Sequence, residues 1–173
     1  MPTILVLASG RGERFTASGG QGSKLQALLG GKPVLERTLE AVQASGLPFH
    51  VEGAGHPGMG DSIAAAVRAA AHADGWLVVP GDLPLIAPQT FRAVAAALAA
   101  HEVVVPTWQG ERGHPVGFGR ACGDELMALA GVHGAAVIVK SRAVHLLPVN
   151  DPGIRIDIDT VQDLAAAERL LRW

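Results

Sequence analysis

Apolar and polar positions follow two rhythms along this chain. Residues 3–8 are apolar without interruption, as in a parallel strand buried on both faces. Further strands are predicted at 49–52, 76–80, 102–106, 115–118 (a short extended piece), 143–149 and 155–159. The last of these alternates, with Ile156 and Ile158 on one face and Asp157 and Asp159 on the other. Helical patterns lie between. Pro33 opens a helix to about Ser45, with Gly46 as its stop, and Pro88 opens another to about Ala100. Asp61 or Ser62 is expected to cap a helix over 63–73, and 124–130 reads as a short helix. Thr160 caps the final helix, with Asp163 in the capping-box position. Residues 9–23 are Gly-rich, 53–60 read as a Gly/Pro loop, and 108–113 as a polar turn. Strand-then-helix alternation, without repeat or linker, predicts one α/β domain over 1–173, a layered sandwich with a largely parallel sheet.

Composition narrows the function classes. Hydrophobic residues at 49 % and charged residues at 17 % describe a chain that can bury a core rather than a disordered one. The net charge is −2 and neither sign forms a block, which argues against a nucleic-acid partner. The lone cysteine, Cys122, excludes an internal disulfide, suits a reducing compartment, and reads as a small buried hydrophobe rather than a nucleophile. The apolar run at 3–8 ends at Ser9-Gly10, too short to span a membrane or to serve as a signal peptide, so a cytoplasmic protein is expected.

In sheets of this kind ligands bind beyond the carboxyl ends of the strands. Three such places carry phosphate or metal chemistry. The first is Leu7-Ala8-Ser9-Gly10-Arg11-Gly12-Glu13-Arg14, followed by Ser23-Lys24-Leu25. Glycines there let backbone N–H groups approach an anion, and Arg14 and Lys24 can neutralise a triphosphate. The segment lacks the Gly-Lys-Ser/Thr ending of a P-loop and the third glycine of the dinucleotide fingerprint, and a flexible turn with solvated charges is the alternative. The second is Pro80-Gly81-Asp82-Leu83-Pro84, where the Asp82 carboxylate suits Mg²⁺ or, alternatively, simply a β-turn. The third is Asp157-Ile158-Asp159, whose carboxylates repel unless a cation or solvent lies between them; Asp157 could instead favour the following helix N-terminus.

These segments occur in order with Gly-Met-Gly-Asp-Ser (58–62) and Arg-Gly-His-Pro-Val-Gly-Phe (112–118). Together they resemble the nucleotidyltransferase family that attaches a nucleotide to molybdopterin, and within it the molybdenum cofactor cytidylyltransferase branch. The resemblance covers nearly the whole chain. It implies a Rossmann-like three-layer sandwich with a mostly parallel mixed sheet, of the nucleotide-diphospho-sugar transferase type. Resemblance further implies a nucleotide on Leu7, Ala8, Ser9, Gly10, Arg11, Gly12, Arg14, Lys24 and Gly81, with Gly60, Asp61 and Ser62 near base and ribose. Arg112, Gly113, His114 and Pro115 would line the pterin-phosphate side, though a plain turn histidine is the alternative for His114. Mg²⁺ would be held by Asp82 with a C-terminal Asp, 157 or 159. CTP (or GTP) and molybdopterin would be the substrates, and an acceptor molybdoenzyme or its chaperone a partner. Departures from the family pattern are a longer stretch at 16–22, expected to place Lys24 on a mobile lid, a shorter one at 47–60, and Gly-Val-His-Gly-Ala-Ala from Gly131, which makes His133 a less defined contact.

The chemistry so implied is attack of the molybdopterin phosphate on the α-phosphorus of CTP. A phosphate monoester is mostly dianionic near neutrality, so no general base is required; Arg14 and Lys24, with Mg²⁺ held on Asp82 and Asp159, would carry the reaction by offsetting charge. Competing expectations are a GTP-dependent enzyme, a transferase for another small phosphate, a nucleotide-binding accessory protein of molybdoenzyme maturation, or a domain whose aspartates only cap helices.

Overall fold

The computed structural model describes residues 1–9 and 12–171. In chain order its elements are β1 (Thr3–Leu7), α1 (Glu13–Ala17), β2 (Leu28–Leu29), β3 (Lys32–Pro33), α2 (Val34–Ala44), β4 (Phe49–Glu52), α3 (Met59–Ala69), β5 (Gly75–Pro80), α4 (Pro88–Ala97), β6 (Val103–Trp108), β7 (Glu111–Arg112), β8 (Val116–Gly119), α5 (Gly123–Met127), α6 (Ala136–Ser141), β9 (Val144–Pro148) and α7 (Val161–Leu171). Among the described residues seven strands form a mixed sheet in the order β4-β1-β5-β8-β6-β7, with β9 on the other side of β6. Five run parallel, while β7 and β8 run against them. β2 and β3 make a separate small hairpin.

The uninterrupted apolar strands are buried on both faces, as their sequence requires. Ile4, Val6, Leu77, Val79 and Val104 face α2 and α4, meeting Val42, Phe91 and Val94. Leu5, Leu7, Trp76, Val78, Val103 and Val105 point the other way, onto Ile63 and Val67 of α3, Leu126 of α5 and Ile138 of α6. Each such fully buried side chain contributes roughly 1.5–3 kcal/mol. Cys122 is completely buried in this second layer, and burial pushes its thiol pKa up, away from nucleophile chemistry. The expected three-layer sandwich is present, with a third apolar cluster of Leu25, Leu29, Val34, Ile158 and Ala167 closing the carboxyl edge of the sheet. No helix among the described residues is long and apolar enough to cross a membrane.

Three sequence expectations need correction. Residues 155–159 form no strand: a 3-10 turn, Pro152–Arg155, leads into irregular backbone. That backbone is held by single hydrogen bonds to other loops, His114 N–H to Ile154 O (3.0 Å) and Ile158 N–H to Asp82 O (2.8 Å). Only Ile158 of its two isoleucines is fully buried. Helix α3 begins at Met59 rather than Ile63, with Gly58 as N-cap and no side-chain cap. Its glycines serve close packing. A Cβ on Gly58 would fall 2.2 Å from Gly131 O, and one on Gly60 2.8 Å from His133 O. The polar turn at 108–113 is a β-hairpin, with Gln109 (φ 51°) and Gly110 (φ 80°) both left-handed, as a two-residue loop of this twist demands.

Candidate active site

β1 lies between β4 and β5, so the chain leaves it toward opposite sides of the sheet. Ala8, Ser9 and Gly12, just past β1, therefore sit at the switch point, where such sheets bind ligands. Beside it, the Gly81–Asp82 peptide is clamped from three directions. Gly81 N–H donates to Leu7 O (2.8 Å), the Thr38 hydroxyl of α2 donates to Gly81 O (2.7 Å), and Ile158 N–H donates to Asp82 O. A side chain at 81 would crowd Leu35 Cδ1 at 3.0 Å and Leu7 O at 3.2 Å, which is why glycine precedes the aspartate. The same clamp draws the 157–159 segment up to Asp82, although the two are far apart in sequence.

Lys24 occupies the junction. Its Nζ donates to Asp82 Oδ2 at 2.9 Å and to Asp159 Oδ1 at 3.4 Å, with the lysine side chain only 13 % exposed. Arg14, on the solvent side, donates to Asp159 Oδ2 at 2.6 Å. The Arg14 hydrogen bond, with help from Lys24, holds the Asp159 carboxyl below the usual range. Burial opposes the charge on Lys24, but its two carboxylate partners outweigh that and raise its pKa. Asp157 moves upward, first through desolvation and then through the charges of Asp82, Asp159 and Asp163. The other oxygen of Asp82, Oδ1, is buried without a hydrogen-bond partner among the described residues. Asp159 is anchored from behind by the predicted capping box: Asp163 Oδ2 accepts from Asp159 N–H and Thr160 N–H, and Asp163 N–H donates to Thr160 Oγ1. Ser18 accepts from Val161 N–H at 2.9 Å, which ties the stretch before Lys24 to the start of α7, and Phe15 is buried against Gly20.

Two cavities flank this junction along the carboxyl edge. One, of about 210 Å³, is lined by Leu7, Ser9, Lys24, Ser62, Gly81 and Asp82, with His56 to Met59 at its side. Ser9 and Ser62 Oγ atoms share a hydrogen bond of 3.0 Å across it. The other, of about 570 Å³, is mostly apolar, walled by Val78, Val105, Phe118, Ala135 and Val139, with Arg112, His114 and Lys140 also lining it. A further recess of about 340 Å³ brings Asp82 and Asp157 beside Arg112, Gly113 and His114. Gly113 has no room for a side chain, since a Cβ would lie 2.5 Å from Ile154 O. His114 Nδ1 is buried without a partner, and desolvation lowers the ring's pKa despite the nearby charges of Asp82 and Asp157.

Of the residues singled out in the sequence, the structure thus brings together Leu7, Ser9, Lys24, Ser62, Gly81, Asp82, Asp157, Asp159, Arg14, Arg112, Gly113 and His114. Gly12 (φ 67°) abuts the Lys24 stem. Ala8 N–H donates to Glu52 O (2.9 Å) at the end of β1, and Pro115 follows a cis peptide after His114. Gly60 and Asp61 turn away: Gly60 packs on residues 130–133, and Asp61 Oδ2 accepts from Gly131 N–H at 3.1 Å. Gly10 and Arg11 lie outside the described residues. His56 was not anticipated. Its Nε2 lies 3.0 Å from Glu52, which also meets His50, and these contacts hold the Glu52 carboxyl below the usual range. Its place just beyond the end of β4 was the one available signal.

Residues 40–146 match the MobA-like NTP transferase domain, and the chain belongs to that family. It is a nucleotidyltransferase of the MobA-like type. Among solved structures it is similar to Rv0371c from Mycobacterium tuberculosis H37Rv (25 % identity, 96 % of each chain, TM-score 0.81), and Rv0371c has also been solved in complex with manganese (TM-score 0.75). It shares its fold with molybdopterin-guanine dinucleotide biosynthesis protein A from Archaeoglobus fulgidus (21 % identity, 98 % of each chain, TM-score 0.71). The bifunctional protein GlmU of Coxiella burnetii is 26 % identical over 94 % of this chain, which spans 38 % of that relative's length.

Proposed function

We propose that this protein transfers CMP from CTP to the terminal phosphate of molybdopterin, releasing pyrophosphate, in the cytoplasm. The observation that carries the reading is the convergence of Lys24, Asp82 and Asp159 beside the glycine-rich turn after β1. The triphosphate would lie in the cavity of Ser9, Lys24 and Ser62, and the acceptor in the apolar cavity beside it. There Arg112 and Lys140 offer charge to the acceptor's phosphate, and His114 Nδ1 is a hydrogen-bonding atom without a partner.

The donor set fits a hard divalent ion. Two converging carboxylates and an unpartnered Asp82 oxygen match the one or two protein carboxylates with which Mg²⁺ is held alongside substrate phosphates. Asp82 and Asp159, with Asp157 near, would hold it; when bound it supplies charge neutralisation at the transferring phosphoryl group. The remaining chemistry belongs to the chain. An acceptor phosphate oxygen forms a bond to the α-phosphorus while the bond to the β-phosphate oxygen breaks and pyrophosphate leaves. Arg14 and Lys24 neutralise the crowded anions, and the clamp on Gly81–Asp82 fixes their separation. The acceptor is already dianionic, so no side chain takes a proton.

Pyrophosphate release with molybdopterin and each of CTP, GTP, ATP and UTP tests the proposal. Release that needs Mg²⁺ and is fastest with CTP is expected. Faster turnover with another triphosphate would overturn the nucleotide, and release indifferent to molybdopterin would overturn the acceptor.

A further inference from the structure

Lys24 plays two parts that exclude one another. In the reading above it neutralises a triphosphate, yet in the structure its ammonium is spent on Asp82 and Asp159, at 2.9 and 3.4 Å. A divalent ion shared by these carboxylates would sit about 2.0–2.1 Å from its oxygen ligands. An ammonium 2.9 Å from Asp82 and 3.4 Å from Asp159 competes with such an ion for the same pair of carboxylates, and two cations side by side there repel.

We infer that Lys24 is a placeholder cation, holding Asp82 and Asp159 together in the ligand-free protein and vacating them only when a nucleotide offers it phosphate oxygens. The inference rests on the nucleotidyltransferase reading and adds an order: nucleotide and divalent ion are taken up together, and the ion alone is held poorly. Three observations support it. Lys24 reaches the junction along Gly12, where even a Cβ would be 3.5 Å from Lys24 Cγ, so the lysine stem already runs beside the turn proposed for the phosphates. A modest swing of the terminal methylenes then exchanges carboxylate for phosphate. Asp82 Oδ1 remains buried and unpartnered, so Lys24 satisfies only part of what this carboxylate can bind. And no group of three or more His, Cys, Asp or Glu side chains among the described residues is placed to hold an ion, so nucleotide phosphates would add ligands that these side chains do not supply. Arg14 stays on Asp159 Oδ2 from the solvent side and keeps that carboxylate oriented during the exchange.

The test is titration of the full chain with Mn²⁺ alone, followed by the electron paramagnetic resonance of free Mn²⁺. Lys24→Met is expected to bind Mn²⁺ at least tenfold more tightly than the wild type, and the gain should vanish in Lys24→Met/Asp82→Ala. Lys24→Arg, which keeps the cation, should bind no more tightly than the wild type. Equal or weaker binding by Lys24→Met overturns the inference, as does tight binding that survives the Asp82 change, because the ion then sits elsewhere. Should Lys24→Met fail to fold, Lys24→Gln keeps a polar end without the charge, and the same gain and the same reversals apply. Failure of pyrophosphate release by the wild type would sink the functional reading while leaving this comparison legible.

Discussion

Asp151 and Asp82 are both carboxylates withdrawn from water, and the chain surrounds them in opposite ways. Asp151 is 7 % exposed and saturated: Oδ2 accepts from Ala87 N–H and the Thr90 hydroxyl, and Oδ1 from Gly153 N–H. It fastens the start of α4 to the 3-10 turn that precedes the 157–159 segment. Asp82 meets one cation, Lys24, and keeps its other oxygen buried and unpartnered. A carboxylate that only builds the fold is given donors for both oxygens, because a buried lone pair left empty costs about 1–3 kcal/mol. An open carboxylate oxygen is what the proposed divalent ion would use.

The comparison breaks most visibly in turnover. Asp82→Ala is expected to lower nucleotidyl transfer by about 10²–10³, with the melting temperature nearly unchanged, as steady-state kinetics and thermal unfolding of the same preparation will show. Asp151→Ala should do the reverse. Loss of three donors' partner is expected to cost about 2–4 kcal/mol, a fall of roughly 5–15 °C in a domain of this size, while the protein that remains folded still binds nucleotide. A smaller effect is expected at the support of Asp159. Thr160→Ala removes half of the capping box and should cost about 1 kcal/mol, read by denaturant unfolding.

The smallest expected change is in pH dependence. His114 has its folded pKa lowered, chiefly by desolvation. Between that value and the unfolded one, about 6.5, the unfolded chain binds a proton that the folded chain refuses. Its contribution to stability is therefore present above pH 6.5 and is lost as pH falls through the lowered folded value. His114→Gln should flatten the decline in melting temperature between pH 7.5 and 5.5.

How much of this was legible in the sequence depended on where each signal came from. β1, β5 and β6 announce themselves because burial on both faces demands continuous apolar runs, and the helices opened by Pro33 and Pro88 carry their own start signals. The approach of Lys24, Asp82 and Asp159 was legible through motif order, and Asp82 also through its place at the end of β5. What stayed hidden depends on partners distant in sequence. The alternation at 156–159 imitates a strand, but that segment obeys the Asp82 carbonyl and the loop around His114 rather than a ladder. Gly58 and Gly60 read as loop because glycine in sequence looks like freedom, whereas here it is clearance for residues 130–133. The short hairpins and α6 are too brief to have a period. His56 carries no motif, and only its position beyond β4 gives it a place beside the cavity.

The central claim is that Asp82 and Asp159 close around a divalent ion together with a nucleotide. Thermal unfolding of the wild type and Asp82→Ala with CTP, with Mg²⁺ and with both tests it most directly. At 100-fold excess over its dissociation constant a ligand of the native state adds about 2.7 kcal/mol. The account predicts that Mg²⁺ and CTP together stabilise the wild type more than the sum of each alone, and that Asp82→Ala loses this surplus. A surplus undiminished in Asp82→Ala would contradict it.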